Sequence, residues 1–412
     1  MNTQQKSVLY ISYDGMTDPL GQSQVLPYIR GIAKKNYTFT LISFEKSEVY
    51  EKNKNEIQAI CATSDIRWFP LKYTKKPPVL STIYDLYELF DLVKRLHNER
   101  PFHIIHCRSY IAAFAGLYMK KKFHTKFIFD MRGFWVNERV DGNIWNLNNP
   151  IYKFIYNYFK KKEQSFFNEA DYTISLTHNG KDEIHSWKNL KNQPIPIEVI
   201  PCCVDTDKFS YHHIDSNRLN EFATKLQIHK NDFVISYIGS IGTWYMTNEM
   251  MLFYKKLLTY NSHAKFLFIT NSPKEEVLQY AINNQVNTDN IIVVSGKRDE
   301  MPYLISLSTF SLFFIKPLYS KKASSPTKQG EIMSLGIPII CNSNVGDTAS
   351  IINDYHAGFV IDSFDDKSYT SVIEQLHTAS FNKEEIRNGA TNFYALSKGI
   401  ERYLSVYEKV LA

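Results

Sequence analysis

The run Ala323-Ser324-Ser325-Pro326-Thr327-Lys328-Gln329-Gly330-Glu331 brings together residue types that bind an anion and a sugar at once. It follows an apolar run at 309–315 and opens a helix around Lys328. Ser325 and Thr327 are types that cap a helix, which would leave backbone N–H groups, the positive dipole end and Lys328 directed at one point. That is an anion site. Glu331, one turn beyond Lys328, would face the same side and accept two hydroxyls of a ribose or sugar. A solvated Lys328–Glu331 pair is the plainer alternative. A second cluster, Gly239-Ser240-Ile241-Gly242-Thr243, offers two glycines and two hydroxyls at a strand end, which suits a phosphate or a ribose. A simple strand–helix turn would use the same residues.

Nearer the N-terminus, Asp130-Met131-Arg132-Gly133 follows the apolar run 126–131, and Glu138 lies a short way on. An arginine at a strand tip can stabilise a departing diphosphate bidentately. A buried ion network of Asp130, Arg132 and Glu138 is the competing reading. Gly21, in the loop after the first strand, lets backbone approach a ligand ahead of a helix start. The spacing of Gly15 and Gly21 is not the dinucleotide pattern, and a tight turn with Ser23 as N-cap would serve equally.

These residues sit at the ends of a repeated rhythm. Short runs rich in Ile, Val, Phe and Tyr occur at 7–13, 38–44, 66–70, 103–107, 126–131 and 172–177, and amphipathic stretches such as 23–35 separate them. The same rhythm restarts at 233–238 and continues through 265–270, 290–295, 309–315, 337–341 and 358–361. Continuous apolar strands joined by helices imply parallel sheets covered on both faces. The expectation is two doubly wound α/β domains, 1–200 and 201–395, with a boundary in the proline-containing segment 194–209. Ligands bind beyond the carboxyl ends of such strands, so two sheets facing one another would make a cleft lined by these loops. A terminal amphipathic helix, 396–412, would bury Ile400, Tyr403, Leu404, Tyr407, Val410 and Leu411, on its own domain or back on the first.

Composition narrows the function classes. The 412 residues exceed one ordinary core, and 44% apolar with 22% charged residues is a globular composition. No run reaches the roughly 18 apolar residues of a membrane span, and the start of the chain reads as a strand, not a signal peptide. Five cysteines without metal spacing make a disulfide framework or a zinc site unexpected. Charge is uneven: residues 1–200 hold 28 Lys+Arg against 20 Asp+Glu, while 201–412 hold 20 against 22. A basic first half points to a membrane surface, a nucleic acid or a phosphorylated substrate, unless the lysines are surface composition alone. Nucleic acid is the least expected, because no known motif for it appears.

The two-domain pattern, the segment 199–209 (Val-Ile-Pro-Cys-Cys-Val-Asp-Thr-Asp-Lys-Phe) and the run 331–338 (Glu-Ile-Met-Ser-Leu-Gly-Ile-Pro) resemble the GT-B fold glycosyltransferases, in particular retaining family 4. The resemblance covers essentially the whole chain. It implies transfer of a glycosyl unit from a nucleotide diphosphate sugar, as co-substrate, to a lipid-linked or saccharide acceptor. Retention is implied too, without metal or other cofactor, with the donor phosphate as local base. Glu331 matches the second acid of the family's Glu-(seven residues)-Glu motif, which binds the nucleotide ribose; Gly21, Gly239, Ser240, Lys297, Ser325, Thr327 and Lys328 would complete the donor site. Four positions depart from the pattern. Ala323 stands where the first Glu touches the donor sugar, Ser240 where an Arg binds the diphosphate, Ser350 where a later Glu occurs, and Arg132 where many members carry a His. Lys328 is then the candidate for the missing charge. Arg132 and Asp130 are the expected catalytic pair, with Glu138 on the acceptor side. A degenerate binder of a sugar nucleotide or glycan, and an epimerase on the same fold, are the other readings. Lysines 72, 75 and 76 before a helix with Tyr84, Leu86, Tyr87, Leu89 and Phe90 suggest an anionic membrane as partner. So does 151–162, where Ile151, Phe154, Ile155 and Phe159 stand among lysines. Ordinary core faces would read the same way.

Overall fold

The computed structural model describes residues 5–376 and 378–412. Two compact units result: Met1–Pro201 with Leu396–Ala412, and Cys202–Ala395. The first holds a seven-stranded sheet of β1 (Lys6–Ser12), β2 (Tyr37–Glu45), β3 (Ile66–Lys72), β4 (Ile104–Arg108), β5 (Lys126–Asp130), β6 (Tyr172–Ser175) and β7 (Ile197–Val199), in the order β3-β2-β1-β4-β5-β6-β7. Every ladder is parallel. A strand flanked on both faces must be apolar at consecutive positions, and Val8, Leu9 and Ile11 of β1 have no exposed surface. The register sets the chemistry: Ser12 of β1 lies beside Arg108 of β4, and Arg108 beside Asp130 of β5. Three strand tips therefore end level.

The second unit holds β8 (Val234–Ile238), β9 (Lys265–Ile269), β10 (Ile291–Val294), β11 (Phe310–Phe313), β12 (Ile339–Asn342) and β13 (Gly358–Ile361), all parallel, in the order β10-β9-β8-β11-β12-β13. All twelve expected strands are present within a residue or two of their ends. The one not expected is β7, inside the segment read as a linker. It is three residues long and sits at the sheet edge, where the prolines just before it cost no ladder bond.

Two helix readings are corrected. The stretch 23–35 is two helices, Pro19–Gln24 and Leu26–Ala33, because Pro27 near the start of the second supplies no N–H for the first to continue. Ser23 is then not an N-cap; its hydroxyl donates to the Pro19 carbonyl within the first helix. The terminal helix, Leu396–Leu411, belongs to the first unit. Its buried side is Gly399, Tyr403, Val406, Tyr407 and Val410, while Ile400, Leu404 and Leu411 are half-buried. A Cβ on Gly31 would stand 2.2 Å from Ile400 Cδ1, so the Ile400 side chain packs directly on the backbone of the facing helix.

Candidate active site

In the first unit, the tips of β4 and β5 gather charge under cover. Asp130 has no exposed surface and lies 3.7 Å, Oδ1 to Nη1, from Arg132. Burial alone would raise the Asp130 carboxyl, but the Arg132 guanidinium, His106 and Arg108 outweigh it and hold it down to about 2. Arg132 has a left-handed backbone, φ 58°, which costs a non-glycine residue about 1–2 kcal/mol. Strain of that kind persists where surroundings impose it, and here it turns the side chain back onto Asp130. His106 sits between Asp130 and the terminal helix: its Nε2 is 3.5 Å from Asp130 Oδ2 and its Nδ1 is 2.8 Å from the Tyr407 hydroxyl. Burial lowers the His106 pKa against the pull of Asp130. The bonding that satisfies a neutral ring is Tyr407 donating to Nδ1 and Nε2–H donating to Asp130.

Arg108 was missed by sequence reasoning. It is 3% exposed, and its Nε stands 3.4 Å from Asp14 Oδ2, with no hydrogen bond to Nε or Nη1 among the described residues. The signal that would have found it is the one used for Arg132: an arginine ending an apolar strand. Glu138 is half-buried in the first turn of the helix Trp135–Asp141, where its charge acts on Arg139. Asp130 has no exposed surface and is set against Arg132.

Gly21 has a packing task. A Cβ there would lie 2.2 Å from the Gly15 carbonyl oxygen, so the helix Pro19–Gln24 rests directly on the loop after β1. That loop is held by buried Glu45, which accepts from the backbone N–H of Met16 at 2.7 Å and of Thr17 at 3.1 Å.

In the second unit the helix Thr327–Ser334 starts as expected, but its cap does not form. Pro326 is the N-cap residue, and Ser325 instead accepts from the Cys202 backbone N–H at 3.2 Å. Lys328 is buried, not solvated. Its ammonium lies 3.8 Å from the Tyr245 ring centre and 4.5 Å from that of Tyr237, and donates to the Tyr237 hydroxyl at 3.4 Å. Removal from water pushes its pKa down to about 7, with Glu331 pulling the other way. Gly239, at the tip of β8 with φ +121°, is where this ammonium comes nearest the main chain: a Cβ would meet Nζ at 2.9 Å. A side chain there would wall the cation off.

Glu331 is also buried, and Arg298 donates to its Oε1. Burial raises the Glu331 pKa, opposed by Arg298 and Lys328. Arg298, stacked 4.6 Å over Phe209, takes the place expected of Lys297. Lys297 is exposed, and its backbone N–H donates to the Glu300 carboxylate at 2.7 Å. Ser240 is exposed; Thr327 is half-buried. A further buried cation, Lys321, lies 3.8 Å over Trp244, the neighbour of Tyr245, and Ala323 two residues on is fully buried. The loop after β8 thus covers two lysines with successive aromatic rings. Among the described residues no group of three or more His, Cys, Asp or Glu side chains is placed to hold a metal.

Comparison with known proteins fits this geometry. The family model described as Glycosyltransferase Family 4 matches residues 23–208, and the one described as Glycosyl transferases group 1 matches 220–393. No curated protein sequence is a significant match. Among solved structures, a glycosyltransferase from Rickettsia africae superposes with TM-score 0.70 at 16% identity, over 99% of both chains. Sucrose-phosphate synthase from Thermosynechococcus elongatus gives 0.73 at 12% identity over 98% of this chain and 99% of its own. The Anabaena protein Alr3699/HepE, in complex with UDP-glucose, gives 0.70 at 10% identity over 98% and 99%. At such identities the structures speak for the fold.

Proposed function

Since the chain is a GT-B glycosyltransferase of the family 4-like type that uses a nucleotide sugar, we propose that it moves the sugar to a hydroxyl of a lipid-linked or saccharide acceptor in surface polysaccharide or glycoconjugate assembly. Transfer proceeds with retention and without metal. The observation that carries the donor reading is Lys328 held beside Gly239 with Glu331 one turn away. An ammonium answers a diphosphate, and a carboxylate answers ribose hydroxyls. In the transfer step the bond from the sugar carbon to the diphosphate oxygen breaks, and the acceptor oxygen bonds that carbon on the same face. The acceptor proton passes to a phosphate oxygen. Arg132 serves the negative charge that develops on the leaving group. HepE's UDP-glucose makes that compound the first donor to try. The test is a panel of nucleotide sugars, read first by thermal stabilisation and then by nucleotide release with acceptor present. Stabilisation without release identifies a binder, and sugar interconversion without acceptor an epimerase.

A membrane partner is the second part of the reading. Helices Leu80–Glu99, Ser109–Phe123 and Pro150–Glu169 lie side by side in the first unit, linked by the Phe90–Tyr118 rings at 5.3 Å and Phe114–Tyr158 at 6.3 Å. Leu89, Leu92, Val93 and Leu96 face the core, but Leu80, Tyr87, Ile151 and Phe154 are 63%, 68%, 67% and 73% exposed. The two outer helices of the three thus present large apolar side chains outward, with Lys75, Lys76, Lys153 and Lys161 exposed around them. An anionic leaflet matches both features, each lysine near it contributing about 1 kcal/mol. Among the described residues no helix is long and apolar enough to cross a membrane. Co-sedimentation with phosphatidylcholine vesicles containing phosphatidylglycerol checks this. Binding should fall with salt and with Lys75→Glu/Lys76→Glu; a protein left in the supernatant at low salt rejects the membrane.

A further inference from the structure

We propose that Tyr403, on the terminal helix, is a positioning residue that fixes Asp130 and, through it, the guanidinium of Arg132. The inference rests on the reading that Arg132 serves the reacting centre. Asp130 is the link. Its Oδ2 accepts from the Tyr403 hydroxyl at 2.9 Å and faces His106 Nε2 at 3.5 Å. Its Oδ1 accepts no hydrogen bond among the described residues and is turned to Arg132 Nη1. One carboxylate oxygen is therefore anchored and the other aims the arginine.

Arg132 needs such an aim. It lies beyond the end of β5, in a left-handed turn followed by Gly133 at φ +132°, so no ladder fixes its direction. A carboxylate free to rotate would loosen the contact it makes with the guanidinium. Tyr403 removes that freedom from a helix 273 residues away in sequence. The helix is itself held: Tyr403 packs edge-on against Tyr28 at 5.4 Å, and Tyr407, one turn on, bonds His106. Two hydroxyls on one helix face thus reach both members of the His106–Asp130 pair. Phenylalanine would fill the same space. Only a hydroxyl can donate to the carboxylate, and burial raises the Tyr403 pKa, which keeps its proton in place.

The test uses the full chain and compares Tyr403→Phe with Tyr254→Phe. Tyr254 is equally buried in the second unit and donates to the Ala264 carbonyl at 2.7 Å, so its loss controls for a missing buried hydroxyl. With arginine labelled by nitrogen-15, the Arg132 Nε–H resonance is assigned by its disappearance in Arg132→Lys. It should exchange with solvent about tenfold faster or more in Tyr403→Phe, as expected for losing a bond to a charged group, and be unchanged in Tyr254→Phe. With a donor from the panel, Tyr403→Phe should lower kcat about tenfold with donor KM nearly constant, and should lower it no further in an Arg132→Ala background. An unchanged Arg132 signal in folded Tyr403→Phe, or additive losses in the double variant, overturns the proposal. If Tyr403→Phe does not fold, Tyr407→Phe carries the same readout, with a smaller acceleration expected and none contradicting it. Should Arg132→Ala keep full turnover while the exchange result holds, Tyr403 still positions Arg132, and it is the role given to Arg132 that fails.

Discussion

Each unit keeps a cation out of water near the tip of a central strand, and each does so by different means. Arg132 in the first unit faces a carboxylate, Asp130, which is itself held by a histidine and a tyrosine. Lys328 in the second lies among aromatic rings that contribute no formal charge. An arginine stays charged wherever it is buried, so it needs a counter-ion. A lysine can release its proton, and Lys328 is pushed down to about 7. The first unit therefore holds a permanent charge, already oriented. The second holds a charge that an arriving anion would draw out.

The largest effect that sharpens this contrast is catalytic. Arg132→Ala should lower turnover by roughly 10²–10³ with donor affinity changed much less, the range for a preorganised electrostatic donor. A fall in melting temperature with turnover kept would instead make the Asp130–Arg132 pair purely structural. Lys328→Met should behave oppositely. Donor affinity should weaken by about tenfold or more, which is ~1.4 kcal/mol, while the melting temperature of the free protein rises at neutral pH, because an ammonium held at a cost is gone. If the variant melts lower than the parent, Lys328 is a stabilising element and the contrast collapses.

Smaller effects follow from pH. The Asp130 carboxyl lies below its ordinary 3.8, so the unfolded chain takes the proton first, and first-unit stability is lost as pH falls from about 4 to about 2. His106, lowered from 6.5, begins the loss on its own account once pH drops below that value. Lys328 runs on another window. Its folded value of about 7 against 10.5 means the second unit gains stability as pH rises between the two. Hydrogen exchange followed peptide by peptide should show the first unit loosening in acid and the second tightening in mild alkali. Parallel behaviour of the two units would break the comparison.

Much of this was legible in the residues, and the reasons differ by element. Twelve strands announced themselves because a parallel sheet demands unbroken apolar runs; β7 did not, since three residues at an edge need no such run. Lys328 and Glu331 could be named from their spacing and from the turn before them. Their burial could not, because it depends on Tyr237, Tyr245 and Arg298, which come from other strands and loops. The cap by Ser325 and Thr327 was a fair inference from residue type, defeated by Cys202 taking the Ser325 hydroxyl. Asp130 was recognised but its burial was not, since nothing local reveals that Tyr403 and His106 enclose it. The exposed apolar stripe was ambiguous for a related reason. Whether Tyr87 and Phe154 point inward is decided by how three helices share one sheet face.

Proton uptake on donor binding tests the second-unit site most directly. Calorimetry of a nucleoside diphosphate sugar, repeated near pH 8 in buffers of different ionisation enthalpy, counts protons taken up as the complex forms. Lys328 is mostly deprotonated in the free protein at that pH, given its value of about 7, and the diphosphate should restore its charge. Most of one proton should enter per donor bound, and affinity should weaken as pH rises further. The uptake should vanish in Lys328→Met and persist in Glu331→Ala despite its weaker binding. Donor binding of unchanged strength with no proton uptake, in parent and Lys328→Met alike, would contradict the account and place the nucleotide elsewhere.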